Sequence, residues 1–211
     1  MSGILDLLQS DLGKTIINGV SQETNQPQNK TQNLLTMALP VLITAMQRNA
    51  SSQEGAQGLL SALDNKHDGS ILDNLGGLFG GGVDQAVKTD GEKILGHILG
   101  KKQPVVEHAL SQKSGIDANT VAQILKVAAP IVLGMLGKEK KRQNVQNQNG
   151  LKSLLGGLLK GNSTQQEQSF LESILDADGD GSVIDDVAGM VLGDNKKKSG
   201  LGGLLGGMFG K

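Results

Sequence analysis

Cysteine, tryptophan and tyrosine are absent from the 211 residues, and Phe79, Phe170 and Phe209 are the only aromatics. Without cysteine there are no disulfides, no thiolate metal sites and no thiol nucleophiles. A cysteine-free chain fits the cytoplasm, the expected location. With so few rings, a base-stacking platform for single-stranded nucleic acid is not expected. Charge of one sign is lacking too: the formal net charge is −1, so no global field draws the chain to DNA or to acidic lipid. No nucleic-acid partner is expected. The first residues, Met1-Ser2-Gly3-Ile4-Leu5-Asp6, lack a basic stretch, and Asp6 and Asp11 interrupt any apolar one. A signal peptide is therefore not expected. The longest apolar segment, Val121–Leu136, holds Gln123 and Lys126 and is short for a membrane span.

What remains to build a core is Leu, Ile, Val, Ala and Met, with 31 glycines among them. Such residues suit packed helices. Leu34, Leu35, Ala38, Leu42, Ala45 and Met46 follow helical spacing, as do Val121, Ile124, Leu125, Ala128, Ala129, Val132, Met135 and Leu136. The second of these helices is apolar nearly all round and should be central and buried. Asp117 or Asn119 is the expected cap at its start, after the helix-ending Gly115. Nothing shows the alternation of a strand. The fold class expected is all-α, a helical bundle.

The chain also resembles itself. Ala38-Leu39-Pro40-Val41-Leu42 matches Ala128-Ala129-Pro130-Ile131-Val132, 90 positions on, and Ser21-Gln22 matches Ser111-Gln112 at the same offset. Leu63-Asp64 through Asp68-Gly69-Ser70-Ile71-Leu72-Asp73 matches Leu175-Asp176 through Asp180-Gly181-Ser182-Val183-Ile184-Asp185, at a longer offset. The extra residues imply an insertion in the second copy. Residues 1–89 are thus read as helical repeat one, and 90–138 as the first part of repeat two. Residues 139–166 are read as a flexible linker insertion, because Lys138-Glu139-Lys140-Lys141-Arg142 is followed by Asn/Gln-rich and Gly-rich sequence. Residues 167–193 are read as a helix, an acidic turn and a second helix. Residues 194–211 are a Gly/Leu/Lys-rich tail, expected to be disordered or weakly docked. Pro40 and Pro130 fall inside the long helices, where each removes a donor and crowds the preceding turn; a kink or break is expected at both.

The strongest chemical signal is Asp176-Ala177-Asp178-Gly179-Asp180-Gly181-Ser182-Val183, which matches the first eight positions of an EF-hand loop. Calcium wants six to eight oxygens, and carboxylates at alternate positions converge as the chain curls. Gly181 would supply the turn and the Ser182 carbonyl the seventh-position ligand. The usual twelfth-position Glu is replaced by Val187, with Asp185 and Asp186 just before it. The candidate metal ligands are therefore Asp176, Asp178, Asp180, Ser182, Asp185 and Asp186, and the expected cofactor is a structural calcium. The competing reading makes Ser182 and Asp185 a capping box, as Ser70 and Asp73 would be. In the first copy Lys66 stands where Asp178 stands in the second, and its ammonium is expected to replace the cation.

Other chemistry is sparse. His97 and His108 are eleven positions apart with Pro104 between them, and no carboxylate cluster accompanies them. No nucleophile elbow is present, and the glycine run at 76–82 lacks the Gly-Lys-Ser/Thr end of a phosphate loop. No enzyme activity is expected. The segment Leu151–Lys160, apolar with two lysines, reads as linker, with a membrane surface or a partner groove as the alternative.

The runs Ile94-Leu95-Gly96-His97-Ile98-Leu99-Gly100, Leu110-Ser111-Gln112, Gly115-Ile116-Asp117 and Ala128-Ala129-Pro130-Ile131-Val132-Leu133 resemble the bacterial YidB-like family, the "domain of unknown function 937" proteins. So do Leu39-Pro40-Val41-Leu42, His67-Asp68-Gly69-Ser70 and the Asp-Gly-Asp-Gly-Ser turn. The resemblance implies an all-α bundle and no enzyme activity, and it carries over no functional residue. The function expected is a non-enzymatic structural or interaction protein with a calcium-stabilised turn. Its partner would be an unknown protein or a second copy of itself. The alternative is an envelope- or membrane-associated scaffold using the Gly/Leu-rich segments for peripheral membrane contact.

Overall fold

A computed structural model describes the backbone of residues 4–159 and the side chains of residues 6–159. Among these residues every regular element is helical: α1 (Ile4–Gln9), α2 (Asp11–Glu23), α3 (Gln28–Asn49), α4 (Gln53–Asn65), α5 (Leu75–Phe79), α6 (Gln85–Leu99), α7 (Gln103–Ser114), α8 (Ala118–Arg142) and α9 (Gln148–Leu159). Short 3-10 turns, Ser70–Asn74 and Gly100–Lys102, precede α5 and α7.

Local chemistry sets the starts and stops. Ser10 and Ser52 cap α2 and α4 by accepting from the Gly13 and Gly55 amides, which satisfies donors that a helix leaves open at its first turn. Asp117 is the cap of α8: it accepts from the Thr120 amide at 3.0 Å and the Thr120 hydroxyl at 2.6 Å. Gly115 closes α7 with φ +66°, a conformation glycine adopts without penalty.

Two helices form the centre. Along α3, Leu34, Leu35, Ala38, Leu39, Val41, Leu42, Ile43 and Met46 are buried. Along α8, residues 127–137 are buried without interruption. Helices α1, α2, α6, α7 and α9 pack on α3, and α6, α7 and α4 pack on α8, α6 the most extensively. By length and composition α8 alone among the described residues could cross a membrane, at a mean hydropathy of 1.7 over its most apolar window. That window is 78% buried inside the bundle, so its apolar surface is already used as core.

Of the kink or break expected at the prolines, the break is absent, and a second expectation changes further along the chain. Neither Pro40 nor Pro130 breaks its helix: α3 and α8 run unbroken through them. Each proline forfeits one backbone bond. Packing against several neighbouring helices offsets that loss, since Val41, Leu42, Ile131 and Val132 on their far sides are at most 2% exposed.

The second change concerns residues 139–166. The described part of that stretch is not a linker: α8 continues to Arg142 and residues 148–159 form α9. Leu151, Leu154, Leu155 and Leu158 make one buried stripe, and α9 lies against α3 and α4. Gln148 Nε2 pins its start by donating to the Ala50 and Ser51 carbonyls at 3.0 and 2.9 Å. Three glycines in the helix cost about 1 kcal/mol each, while each buried leucine returns about 1.5–3 kcal/mol; burial wins. Through Leu159, the apolar face of this segment packs into the protein's own core. The remaining linker residues 160–166, the segment 167–193 and the tail 194–211 lie outside the described residues.

Candidate functional site

The six candidate calcium ligands, Asp176, Asp178, Asp180, Ser182, Asp185 and Asp186, all lie outside the described residues. The matching first-half turn, residues 64–74, is described. It sits against the C-terminal end of α8.

Asp64, at the end of α4, accepts a hydrogen bond from Lys140 Nζ at 2.5 Å. Asp68 accepts one from Lys141 Nζ at 2.7 Å and another from the Ser70 amide at 3.1 Å. Lys66 is bonded to Asp90 of α6, not to its own turn. The expectation for Lys66 is thus corrected: the ammonium groups that neutralise Asp64 and Asp68 come from α8, more than seventy residues along the chain. Lys66 is displaced because loop closure leaves Asp90 of α6 facing it.

Gly69 makes the sharp bend with φ +104°, where a side chain would be strained and a Cβ would stand 3.0 Å from that of Lys138. A Cβ on Gly137 would collide with the His67 carbonyl, and one on Gly134 would meet the Ile71 Cγ2 methyl at 2.5 Å. Two glycines one turn apart on α8 therefore let the turn lie directly on the helix backbone. Ser70 and Asp73 form no capping box here; Asn74 caps α5 instead, accepting from the Gly77 amide at 3.1 Å.

His67 is 6% exposed. Its Nε2 is 3.6 Å from Asp90 Oδ2. Burial pushes the imidazole below its ordinary pKa; nearby Asp90 pulls it up and Lys66 pushes it further down. The bonds from Lys141 and then from Ser70 hold the Asp68 carboxyl well below the usual carboxylate range.

Elsewhere the described residues offer less. An open groove of about 830 Å³ is lined by Glu23, Ile71, Asn74, Val83 and Lys88. Its polar wall is closed on itself: Glu23 pairs with Lys88 at 2.5 Å and accepts from the Val83 amide at 2.8 Å. His97 and His108 lie on separate helices, α6 and α7. His108 Nε2 faces Gln112 Nε2 at 3.1 Å. Among the described residues no three acidic or histidine side chains are grouped as a metal site.

A model of a bacterial protein family of unknown function, DUF937, matches residues 6–139 and 142–211. The chain belongs to that family. No curated protein and no solved structure matches it. The DUF937 match includes the turn at 64–74, Asp90 and the glycines of α8, whereas Lys140 and Lys141 fall between the two matched stretches. Sequence reasoning missed these two lysines as partners of the turn. The signal present was the basic run ending α8, which was read as the start of the linker.

Proposed function

We propose that this DUF937 chain is a non-enzymatic structural or interaction protein of the bacterial cytoplasm, built by duplication of a helical unit. In its second copy, Asp176, Asp178, Asp180, Ser182, Asp185 and Asp186 would hold a calcium ion that ties the last helices together. One observation supports this above the rest. In the described counterpart, the Asp-Gly-Ser bend turns at Gly69 with φ +104°, and its two carboxylates at loop positions one and five are each neutralised by a cation from another element. The second turn repeats Asp-Gly-Ser at 180–182 and replaces Lys66 with Asp178. Three carboxylates at alternate positions repel unless a cation stands among them, and oxygen donors suit a hard divalent ion.

The test is a calorimetric calcium titration of the metal-stripped full chain beside Asp176→Asn/Asp180→Asn. One-site binding lost in the variant supports the reading; no heat at millimolar calcium leaves the turn as a helix cap. A membrane-associated scaffold draws no support from the described Gly/Leu segments, because Leu75, Leu151, Leu154, Leu155 and Leu158 are buried. Flotation of the full chain with anionic liposomes separates the two readings.

A further inference from the structure

The buried imidazole of the first-half turn has no part in the proposed function. His67 is the one histidine of the three in the chain that is buried, and its backbone carbonyl lies against Gly137 of α8. The charged groups that act on it are Asp90 from α6 and Lys66 on its own segment; the same turn carries Asp64 and Asp68, which face Lys140 and Lys141 of α8. They form three closed pairs: Lys140 with Asp64, Lys141 with Asp68, and Lys66 with Asp90. Three carboxylates are thus matched by three ammonium groups, and the cluster is neutral while His67 is neutral. A proton arriving on His67 faces only Asp90, whose charge Lys66 already shares. Asp90 Oδ2 is 3.6 Å away, beyond hydrogen-bond length, and its other oxygen already holds Lys66.

We propose that residues 64–74 form an acid-released clasp: protonation of His67 puts an unmatched positive charge under the turn and lifts it off the end of α8, while the α3–α8 core stays folded. The lift is local because the turn's ion pairs lie toward the surface, with Asp64 side chain 52% and Asp68 35% exposed, whereas α3 and α8 are held by continuous apolar packing. Segments with few buried contacts open at lower free energy than the core. Asp68 does not compete as the trigger, since Lys141 keeps it ionised far below neutrality. The docked imidazole, held below its ordinary value of 6.5 chiefly by burial, takes its proton less readily than the released one. The docked state therefore loses ground as pH falls below 6.5 and regains it as pH rises.

Amide hydrogen exchange on the full chain tests this, corrected for intrinsic rates and followed from about pH 7.5 to about pH 5. Protection of residues 64–74 is expected to fall with acid, approaching about tenfold per pH unit as one proton is taken up, while α3 and α8 keep theirs. In His67→Gln the turn's protection is expected to be flat across the range; in His97→Gln/His108→Gln the fall persists. Protection that does not change with pH in the native chain overturns the proposal, as does a fall that survives His67→Gln. Should His67→Gln not fold, the ring-proton NMR titration of native His67 decides instead. A midpoint below 6.5, moving with the loss of protection, supports the clasp; one at or above 6.5 overturns it.

Discussion

Gly91 of α6 packs against the carbonyl of Lys126 on α8 so closely that a Cβ on Gly91 would collide with that oxygen. The Lys126 carbonyl is the acceptor that Pro130, four residues on, leaves without its regular helical donor. The helix defect and the close approach thus coincide: a missing in-helix bond on α8 is covered by backbone from α6.

Gly91→Ala should destabilise the chain by about 1–3 kcal/mol, because α6 must move off α8. Gly96→Ala on the same helix meets nothing within 4 Å and should be neutral, or stabilising by up to about 1 kcal/mol. Urea unfolding of both variants checks this; equal stabilities would remove the close approach as a determinant of the fold.

The two ion pairs of the turn should differ in worth. Lys140 is 8% exposed and Asp64 52%, so Asp64→Ala strands a buried ammonium, and a loss of about 1–3 kcal/mol is expected. Lys140→Met leaves a carboxylate that water can reach and should cost less. The Lys141–Asp68 pair, 54% and 35% exposed, should couple by no more than about 1 kcal/mol in a double-mutant cycle. A larger loss from Lys140→Met than from Asp64→Ala would contradict the burial asymmetry.

Leu154 separates core from linker. It is fully buried in the α9 stripe, so Leu154→Ala should cost about 2–5 kcal/mol. A linker leucine would cost almost nothing. The midpoint of thermal unfolding of the variant against the native chain gives the answer.

Glu23 supplies an acid-range prediction. Burial raises its pKa, but the bonds from Lys88 and the Val83 amide outweigh that and leave it lowered from 4.5. The unfolded chain then binds this proton more readily than the folded one, so the contribution of Glu23 is complete above pH 4.5 and is lost as pH falls through the lower folded value. Glu23→Gln should weaken the fold by about 1–3 kcal/mol near neutrality and lose less stability on acidification. Guanidinium melts at several pH values show this as a shallower slope; an unchanged slope would remove Glu23 from the acid response.

The helical class, the central place of α8, its Asp117 cap and the Gly115 stop were legible because each depends on residues within a few positions of one another. Helical periodicity and capping are local, so Val121 through Leu136 declared a buried helix and its start was narrowed to Asp117 or Asn119, of which the structure takes Asp117. Composition misled where packing overrode propensity. The glycines of 150–157 read as linker, yet the stripe Leu151, Leu154, Leu155 and Leu158 had helical spacing all along, and what it lacked in the sequence was a visible surface to bury against.

By itself the sequence determined an all-α DUF937 chain without thiol chemistry. Tertiary structure alone decided that Lys140 and Lys141 neutralise Asp64 and Asp68, that Lys66 turns to Asp90, that His67 is buried, and that Pro130 costs α8 no break. The reason is physical: an ion pair or a close backbone approach between residues seventy positions apart depends on how the chain closes on itself. No local pattern of charge or glycine encodes which partner that closure will bring.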